Sequence, residues 1–217
     1  MDLPLFPLNL VLFPGMPLQL HVFEKRYQQL VHDCLKTDRQ FGVALIQRGS
    51  EALGPLPEPY PVGCLARIMD IQPLSEGRMN LMVIGHERFR VRSFDRQSAP
   101  YLIGKAEPYP LETGDLKKLK QEAARVRPRI EQYVQLLVQM SDQQKEPEPL
   151  PEEDEMIGNL AAILLQVPLQ DKQALLEAES AIEQLALLDL VLNRELPLMR
   201  ALLTESSRSG IGMFSRN

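Results

Sequence analysis

The sequence predicts an α+β protein in which a β-barrel or curled sheet is followed by an α-helical subdomain. Two observations indicate this class. Up to about residue 109, short apolar or alternating segments are separated by turn residues, which is typical of strands. From residue 113 onward this pattern stops and helix-forming residues dominate. We therefore expect a barrel over residues 1–112 and a helical subdomain over residues 113–217.

The first element is an apolar run, LPLFPLNLVLFPGMPLQLHV, that prolines interrupt. A secretion signal needs a basic start and an unbroken apolar run, so we expect no cleavable signal. Proline lacks a backbone N–H and suits sheet edges better than helix interiors, so the run predicts two short strands with a turn at residues 13–15. Tyr27, Leu30 and Val31 then recur at helical spacing, which predicts one helix at about 23–37.

The remaining strands are predicted from five segments, namely FGVALI, VGCLARIMDI, RMNLMVIG, RFRVRSF and YLIGKAEPY. Residues 71–79 include small polar residues and a glycine, which favour a hairpin connection. In the helical part, Pro128 predicts a kink or a break. Residues 141–155 combine three prolines with seven acidic residues, so we expect an exposed acidic, proline-rich loop there.

Composition excludes several classes of protein. With 217 residues, 44% of them hydrophobic, the chain is long enough to form cores of its own. No window of about 18 uninterrupted apolar residues indicates a membrane span. Cys34 and Cys64 lie far apart without a zinc-type spacing, which favours a reducing, cytoplasmic location. The net charge of −5 is not that of a typical nucleic-acid-binding protein.

Motifs for catalysis are not found in the sequence. It contains neither the GxxxxGK[ST] loop that holds nucleotide phosphates nor the GxSxG turn of a nucleophilic serine. His32 and Cys34 are two residues apart on the expected helix, so they point to different faces and suit a metal poorly. We expect no catalytic residue, no metal and no cofactor, although an enzyme with a site assembled from distant residues stays a third alternative.

One basic stripe is a candidate contact site. Arg88, Arg90 and Arg92 alternate with Phe89 and Val91, so a strand would direct the three arginines to one side. The stripe would suit an anion or a nucleic acid. A solvated strand face is the favoured interpretation, because no aromatic residue shares the arginine side to stack on bases.

Four blocks together resemble the N-terminal substrate-binding domain of Lon proteases: LPLFPLNLVLFPGMPLQLHVFEKRYQQLVHD, FGVALI, VGCLARI and VIGHERFRV. They occur in the order found in that family. The segment LQDKQALLEAESAIEQLALLDLVLNREL is similar to the helical part that follows the barrel there. The resemblance implies a PUA-like barrel with a helical subdomain. The ATPase and serine–lysine peptidase modules of full Lon proteases are not expected, so the chain resembles the family's stand-alone proteins.

The resemblance also implies residue roles and partners. Seven residues match family motifs and are expected to define the fold: Phe23, Glu24, Arg26, Tyr27, Gly85, Arg88 and Phe89. The implied function is non-catalytic binding of unfolded or extended protein segments, with a protease or chaperone as a further partner and no membrane. RNA binding through the barrel, carried by Arg88, Arg90 and Arg92, is the alternative.

Overall fold

The computed structural model describes residues 1–140 and 149–212. Seven strands occur in these residues: β1 (Asp2–Leu8), β2 (Pro17–Val22), β3 (Gln40–Arg48), β4 (Glu58–Pro59), β5 (Val62–Pro73), β6 (Met79–Asp95) and β7 (Leu102–Pro108). Five α-helices accompany them: α1 (Lys25–Cys34), α2 (Leu116–Met140), α3 (Asp154–Leu164), α4 (Leu169–Glu177) and α5 (Ala181–Gly212).

Five of the strands close into a ring. Hydrogen bonding runs in the order β1, β7, β6, β5 and β3, and a parallel pairing of β1 with β3 returns to the start. The other neighbours in the ring are antiparallel. Strand β4 extends from β3, and β2 pairs with β6. The expected α+β class, with a strand barrel followed by helices, is confirmed.

Two apolar clusters fill the strand region. The larger cluster contains the inner face of α1, including Tyr27, Leu30 and Val31. The smaller is built around Phe89, which is fully buried. A β-carbon at Gly63 would lie 2.6 Å from the Phe89 ring, so only glycine leaves room for that ring.

The observed elements differ from the expected ones in three places. The segments RMNLMVIG and RFRVRSF are one 17-residue strand, β6, because this strand pairs along its length with β2, β5 and β7. Helix α1 is shorter than predicted and spans Lys25–Cys34. Helix α2 continues through Pro128. Both Pro128 and Ala124 are exposed, so water can reach the carbonyl group that proline leaves without a donor.

The chain divides into two compact units. Unit 1 comprises Met1–Leu111 with Leu165–Glu179, and therefore includes α4 as well as the strands. The sequence assigned every residue after 112 to the helical part, and that domain boundary stays a prediction. Of the acidic loop expected at 141–155, residues 141–148 lie outside the described residues, and Asp154 already begins α3.

Unit 2 contains α2, α3 and α5. Leu119 and Val126 of α2 and Leu188 of α5 are buried. The Arg129 guanidinium donates to the Asp189 carboxylate, which is 11% exposed. Within the two described stretches of chain, no helix is both long and apolar enough to cross a bilayer.

Candidate functional site

Strand β2 has one unpaired edge. It pairs with β6 along its whole length, from Pro17 opposite Ile84 to Val22 opposite Met79. Among the residues that the structure describes, no other strand pairs with it. Every second residue of an edge strand directs its N–H and C=O groups away from the neighbouring strand. The free edge of β2 therefore offers backbone donors and acceptors to a further strand.

A cavity of about 310 Å³ lies beside this edge. Its walls come from the end of β1, from β2, from the start of α1 and from the loop between β3 and β4. The lining residues are Phe6, Leu8, Leu10, Gln19, Leu20, His21, Val22, Phe23, Glu24, Tyr27, Glu51 and Ala52. This volume is at the lower end for ligand pockets and suits one or two side chains of a longer ligand. We call the cavity and the free edge of β2 together the β2 groove.

Tyr27 contributes a polar group to the groove. Its ring stacks on Phe6 with the centroids 4.0 Å apart, and its side chain is almost fully buried. The hydroxyl group has no hydrogen-bond partner in the described part of the chain. Burial raises the pKa of Tyr27 to about 12; Arg26 opposes this shift, and the carboxylates of Glu24 and Glu51 add to it. The hydroxyl is therefore neutral and can both donate and accept.

Arg26 holds the loop beside the groove in place. Its Nη1 donates to the carbonyl oxygen of Gly54 at 3.0 Å, and its Nη2 lies 2.9 Å from the Glu24 carboxylate. Its guanidinium carbon lies 4.8 Å from the centroid of the Tyr27 ring. Glu24 occupies the N-cap position of α1, but its side chain makes no capping hydrogen bond. The carboxylate of Glu24 therefore pairs with Arg26 and does not cap the helix.

Phe23 lies on the wall of the groove. Its side chain is 45% exposed, so it adds little to the core of the fold. The ring centroid is 6.0 Å from that of His21, whose Nδ1 lies 2.8 Å from Oδ1 of Asn80. An exposed aromatic side chain next to an unpaired strand edge is available to a ligand.

Gly85 positions the start of β2. Its N–H donates to the Met16 carbonyl at 2.9 Å, and its carbonyl accepts from the N–H of Gly15 at 2.8 Å. A β-carbon here would lie 2.1 Å from the Phe13 carbonyl oxygen, so any other residue would push the turn away. Since this turn leads directly into β2, Gly85 determines where the groove begins.

Arg88 is buried within unit 1, at 4% exposure. Its Nη1 donates to the carbonyl oxygens of Leu176 and Ala178 at 2.6 and 2.7 Å. Its guanidinium carbon lies 4.7 Å from the centroid of the Tyr109 ring. Arg88 therefore joins the end of α4 to the strands, which agrees with a structural role and leaves it inaccessible to a large anion.

Arg90 and Arg92 occupy two further environments. Arg90 is partly exposed and lies over the Tyr109 ring at 3.9 Å from the centroid. Arg92 is exposed and pairs with Glu107 at 2.5 Å. The three arginines thus do not form the single exposed stripe expected from their spacing, because the side chain of Arg88 is buried. A nucleic-acid contact through them stays a prediction that no finding supports.

Other candidate sites offer less. A larger cavity of about 590 Å³ includes Leu3, Asp33 and Arg88, but the strands lining it are paired within the ring. Burial raises the pKa of Cys34 and of Cys64 to about 12, so neither thiol is a ready nucleophile. In residues 1–140 and 149–212, no three histidine, cysteine or acidic side chains are placed to hold a metal ion.

Comparison with known proteins identifies the family. Residues 2–194 match the family model described as the ATP-dependent protease La (LON) substrate-binding domain. The match covers most of the chain, and the chain belongs to this family. The match confirms the expected resemblance to the substrate-binding domain of this family.

The curated relatives are much longer than the region that matches this chain. The chain is 28% identical over 210 residues to Lon protease 2 of Myxococcus xanthus, a match that covers 91% of this chain and 24% of that protein. It is also 28% identical to Lon protease 1 of Thermus thermophilus, over 90% of this chain and 25% of that protein. The chain thus spans about a quarter of the length of these curated relatives.

Two solved structures share the fold. A Lon N-terminal domain protein from Xanthomonas campestris is 29% identical, with a TM-score of 0.59 over 86% of this chain and 95% of that one. The N-terminal domain of a Mycobacterium avium complex Lon protease has a TM-score of 0.64 at 14% identity, over 87% and 96% of the two chains. The second similarity concerns the fold alone.

Proposed function

We propose that this chain is a non-catalytic module that binds extended segments of unfolded proteins in the β2 groove. The observation that carries the proposal is the free edge of β2 next to a small, largely apolar cavity. An extended peptide can add a strand to such an edge, so that main-chain hydrogen bonds supply affinity and pockets select alternate side chains. Membership in a family of substrate-binding domains supports the same role.

An unfolded ligand is proposed because strand addition requires a segment with unpaired backbone groups. A folded protein has already paired most of its backbone donors and acceptors, whereas an unfolded chain presents them in any extended segment. Each peptide residue that becomes ordered costs about 1–2 kcal/mol, so a single segment binds with modest affinity, about micromolar or weaker. Several segments of one client would be needed for tight binding.

The proposal extends to partners and location. A module that only binds clients acts by delivering them, and a separate protease or chaperone in a reducing cytoplasm is the proposed recipient. The purified chain should hydrolyse neither ATP nor casein, since the family match concerns the substrate-binding domain. ATPase or peptidase turnover that co-purifies with the chain through several columns and is lost in a point variant of it would contradict a non-catalytic role.

The first experiment compares clients. A labelled, permanently unfolded protein and its folded parent are titrated with the chain at low and high salt, beside a single-stranded RNA. We expect preference for the unfolded protein with little effect of salt, because apolar contacts and backbone hydrogen bonds are weakly screened, whereas phosphate contacts weaken steeply. RNA binding that collapses with salt and is lost in an Arg90→Ala, Arg92→Ala double variant would favour the RNA alternative.

A pair of variants locates the binding. Phe23→Ala removes an exposed ring from the groove wall, and Met69→Ala removes a side chain of similar exposure, 52%, that does not line the groove. Phe23→Ala should weaken the binding of the unfolded protein and leave thermal stability nearly unchanged, whereas Met69→Ala should alter neither. Equal effects of both variants would place the binding elsewhere.

A further inference from the structure

The charged residues that line the β2 groove are all carboxylates, and Arg26 lies beside it, paired with Glu24. Glu24 and Glu51 line the cavity, and none of the described residues that line it is a lysine or an arginine. A shallow depression on the neighbouring surface of β2, β5 and β6 contains Asp70 and likewise no lysine or arginine. A ligand that lies along β2 therefore meets carboxylates, and neither the cavity nor the shallow depression is lined by a lysine or an arginine.

Glu51 is the carboxylate most available to a ligand. Its Oε2 accepts a hydrogen bond from the N–H of Asn9 at 2.7 Å, and it takes part in no ion pair within the described chain. Glu24, by contrast, is already paired with Arg26. Because one carboxylate is paired and the other is not, the cavity keeps a net negative charge.

Tyr27 gives an independent indication of a polar ligand. Its side chain is 2% exposed, it lines the same cavity, and its hydroxyl has no hydrogen-bond partner in residues 1–140 and 149–212. A buried hydroxyl without a partner is costly, which makes it a favourable place for a ligand group that hydrogen-bonds. Tyr27, Glu24 and Glu51 line the same cavity. The charge of Arg26 lowers the pKa of the Tyr27 hydroxyl, and the carboxylates of Glu24 and Glu51 raise it.

We infer that the β2 groove selects extended segments that carry a lysine side chain, whose ammonium group enters the cavity toward Glu51 and Tyr27. The inference rests on the proposed function and adds the class of segment that is bound. An ammonium has three N–H donors and no acceptor, which matches the available carboxylate of Glu51 and the hydroxyl oxygen of Tyr27. The apolar walls at Leu8 and Leu10 suit the methylene groups of the lysine. Segments rich in aspartate or glutamate, and nucleic acids, are disfavoured by the same charges.

The test uses fluorescently labelled octapeptides that alternate aliphatic and neutral polar residues. One lysine is moved through the sequence, and each position is also made as glutamine and as glutamate. At the best position we expect lysine to bind about two- to fivefold more tightly than glutamine, the range for a solvent-accessible ion pair, and glutamate to bind more weakly than both. This preference should shrink as salt is added.

Two protein variants test whether Glu51 causes the preference for lysine. Glu51→Gln keeps an acceptor for the Asn9 N–H and removes the charge, so it should abolish most of the lysine preference while the glutamine peptide binds as before. Glu58→Gln removes an exposed carboxylate on β4 that does not line the groove, and it should change nothing.

The outcomes separate the inference from the proposed function. If all three peptides bind equally, or if Glu51→Gln and Glu58→Gln behave alike, the inference is overturned and strand addition at β2 stands. If no peptide binds, or if binding is insensitive to Phe23→Ala, the proposed function fails and the inference fails with it. Selective binding of glutamate peptides would overturn the charge argument directly.

Discussion

The carboxylate of Glu24 and the guanidinium of Arg26 form an ion pair of 2.9 Å whose side chains are only 14% and 13% exposed. The same guanidinium holds the carbonyl of Gly54. The pair thus connects the start of α1 to the loop that forms one wall of the β2 groove. Removal of the pair should therefore lower the stability of the fold, and any effect on ligand binding should follow from that loss.

The first prediction concerns this pair. Arg26→Ala or Glu24→Ala should lower the free energy of unfolding by about 1–3 kcal/mol, less than the 3–5 kcal/mol for a fully buried pair, because some water still reaches both groups. Urea denaturation of the two variants and of the double variant would measure the coupling. An unchanged midpoint together with a loss of client binding would show that the pair contacts the ligand instead.

The second prediction concerns the Tyr27 hydroxyl. Because it is buried without a partner in the described residues, Tyr27→Phe should raise the free energy of unfolding by about 1 kcal/mol, whereas Tyr27→Ala should lower it by several, because it removes a buried ring. Lysine-containing peptides should bind Tyr27→Phe more weakly. A destabilised Tyr27→Phe variant would mean that the hydroxyl has a stabilising partner in the unliganded protein.

The third prediction is a pH dependence. Asp33 accepts hydrogen bonds from Gln29, Lys36 and Tyr101, and these contacts hold the pKa of its carboxyl below the ordinary value. A depressed folded pKa contributes stability that is present above the unfolded pKa, about 3.9, and is lost as pH falls through the folded pKa.

Asp33→Asn removes this titration. The variant should be less stable than the wild type at pH 7, and the difference should shrink as pH falls below about 4. Urea midpoints between pH 7 and pH 2 measure the difference. Asp38→Asn is the control, because the Asp38 carboxylate accepts longer hydrogen bonds, from the Thr37 hydroxyl at 3.4 Å and the Gln40 N–H at 3.3 Å. A difference that stays constant over this range would contradict the assigned cause.

The fourth prediction compares two arginines of β6. Arg88→Ala removes two buried charge-assisted hydrogen bonds to carbonyl oxygens near the end of α4, so it should cost about 2 kcal/mol or more of unfolding free energy. Arg92→Ala removes an exposed ion pair with Glu107 and should have little effect. Equal effects in thermal denaturation would contradict the buried role of Arg88.

Much of the fold could be predicted from the sequence, because the spacing of apolar residues and the positions of proline and turn residues are local signals. The prolines of the first segment and the 13–15 turn indicated β1 and β2 correctly, and the switch to helical spacing after Val22 indicated α1. The placement of α4 with the strands could not be predicted, because it depends on contacts such as that between Arg88 and Ala178, 90 residues apart.

The candidate site was harder to predict. The motif residues Glu24, Arg26 and Tyr27 were found, but their spacing could not show that Phe23 is exposed or that the Tyr27 hydroxyl lacks a partner in the described chain. Glu51 gave no signal, since a single carboxylate in a loop resembles any other until the fold brings it to β2. The alternation of charged and apolar residues predicted that Arg88 is exposed. Its side chain is instead buried, because it donates a hydrogen bond to a carbonyl oxygen of α4.

The most direct test of the account is amide hydrogen exchange of β2 with and without an unfolded client. NMR resolves the five amides of residues 18–22, of which alternate ones already bond to β6. A saturating client peptide should slow exchange at the outward-facing amides, and Phe23→Ala should reduce this protection at the same peptide concentration. Unchanged exchange throughout β2, with new protection in another segment when the same peptide is bound, would contradict strand addition at this edge.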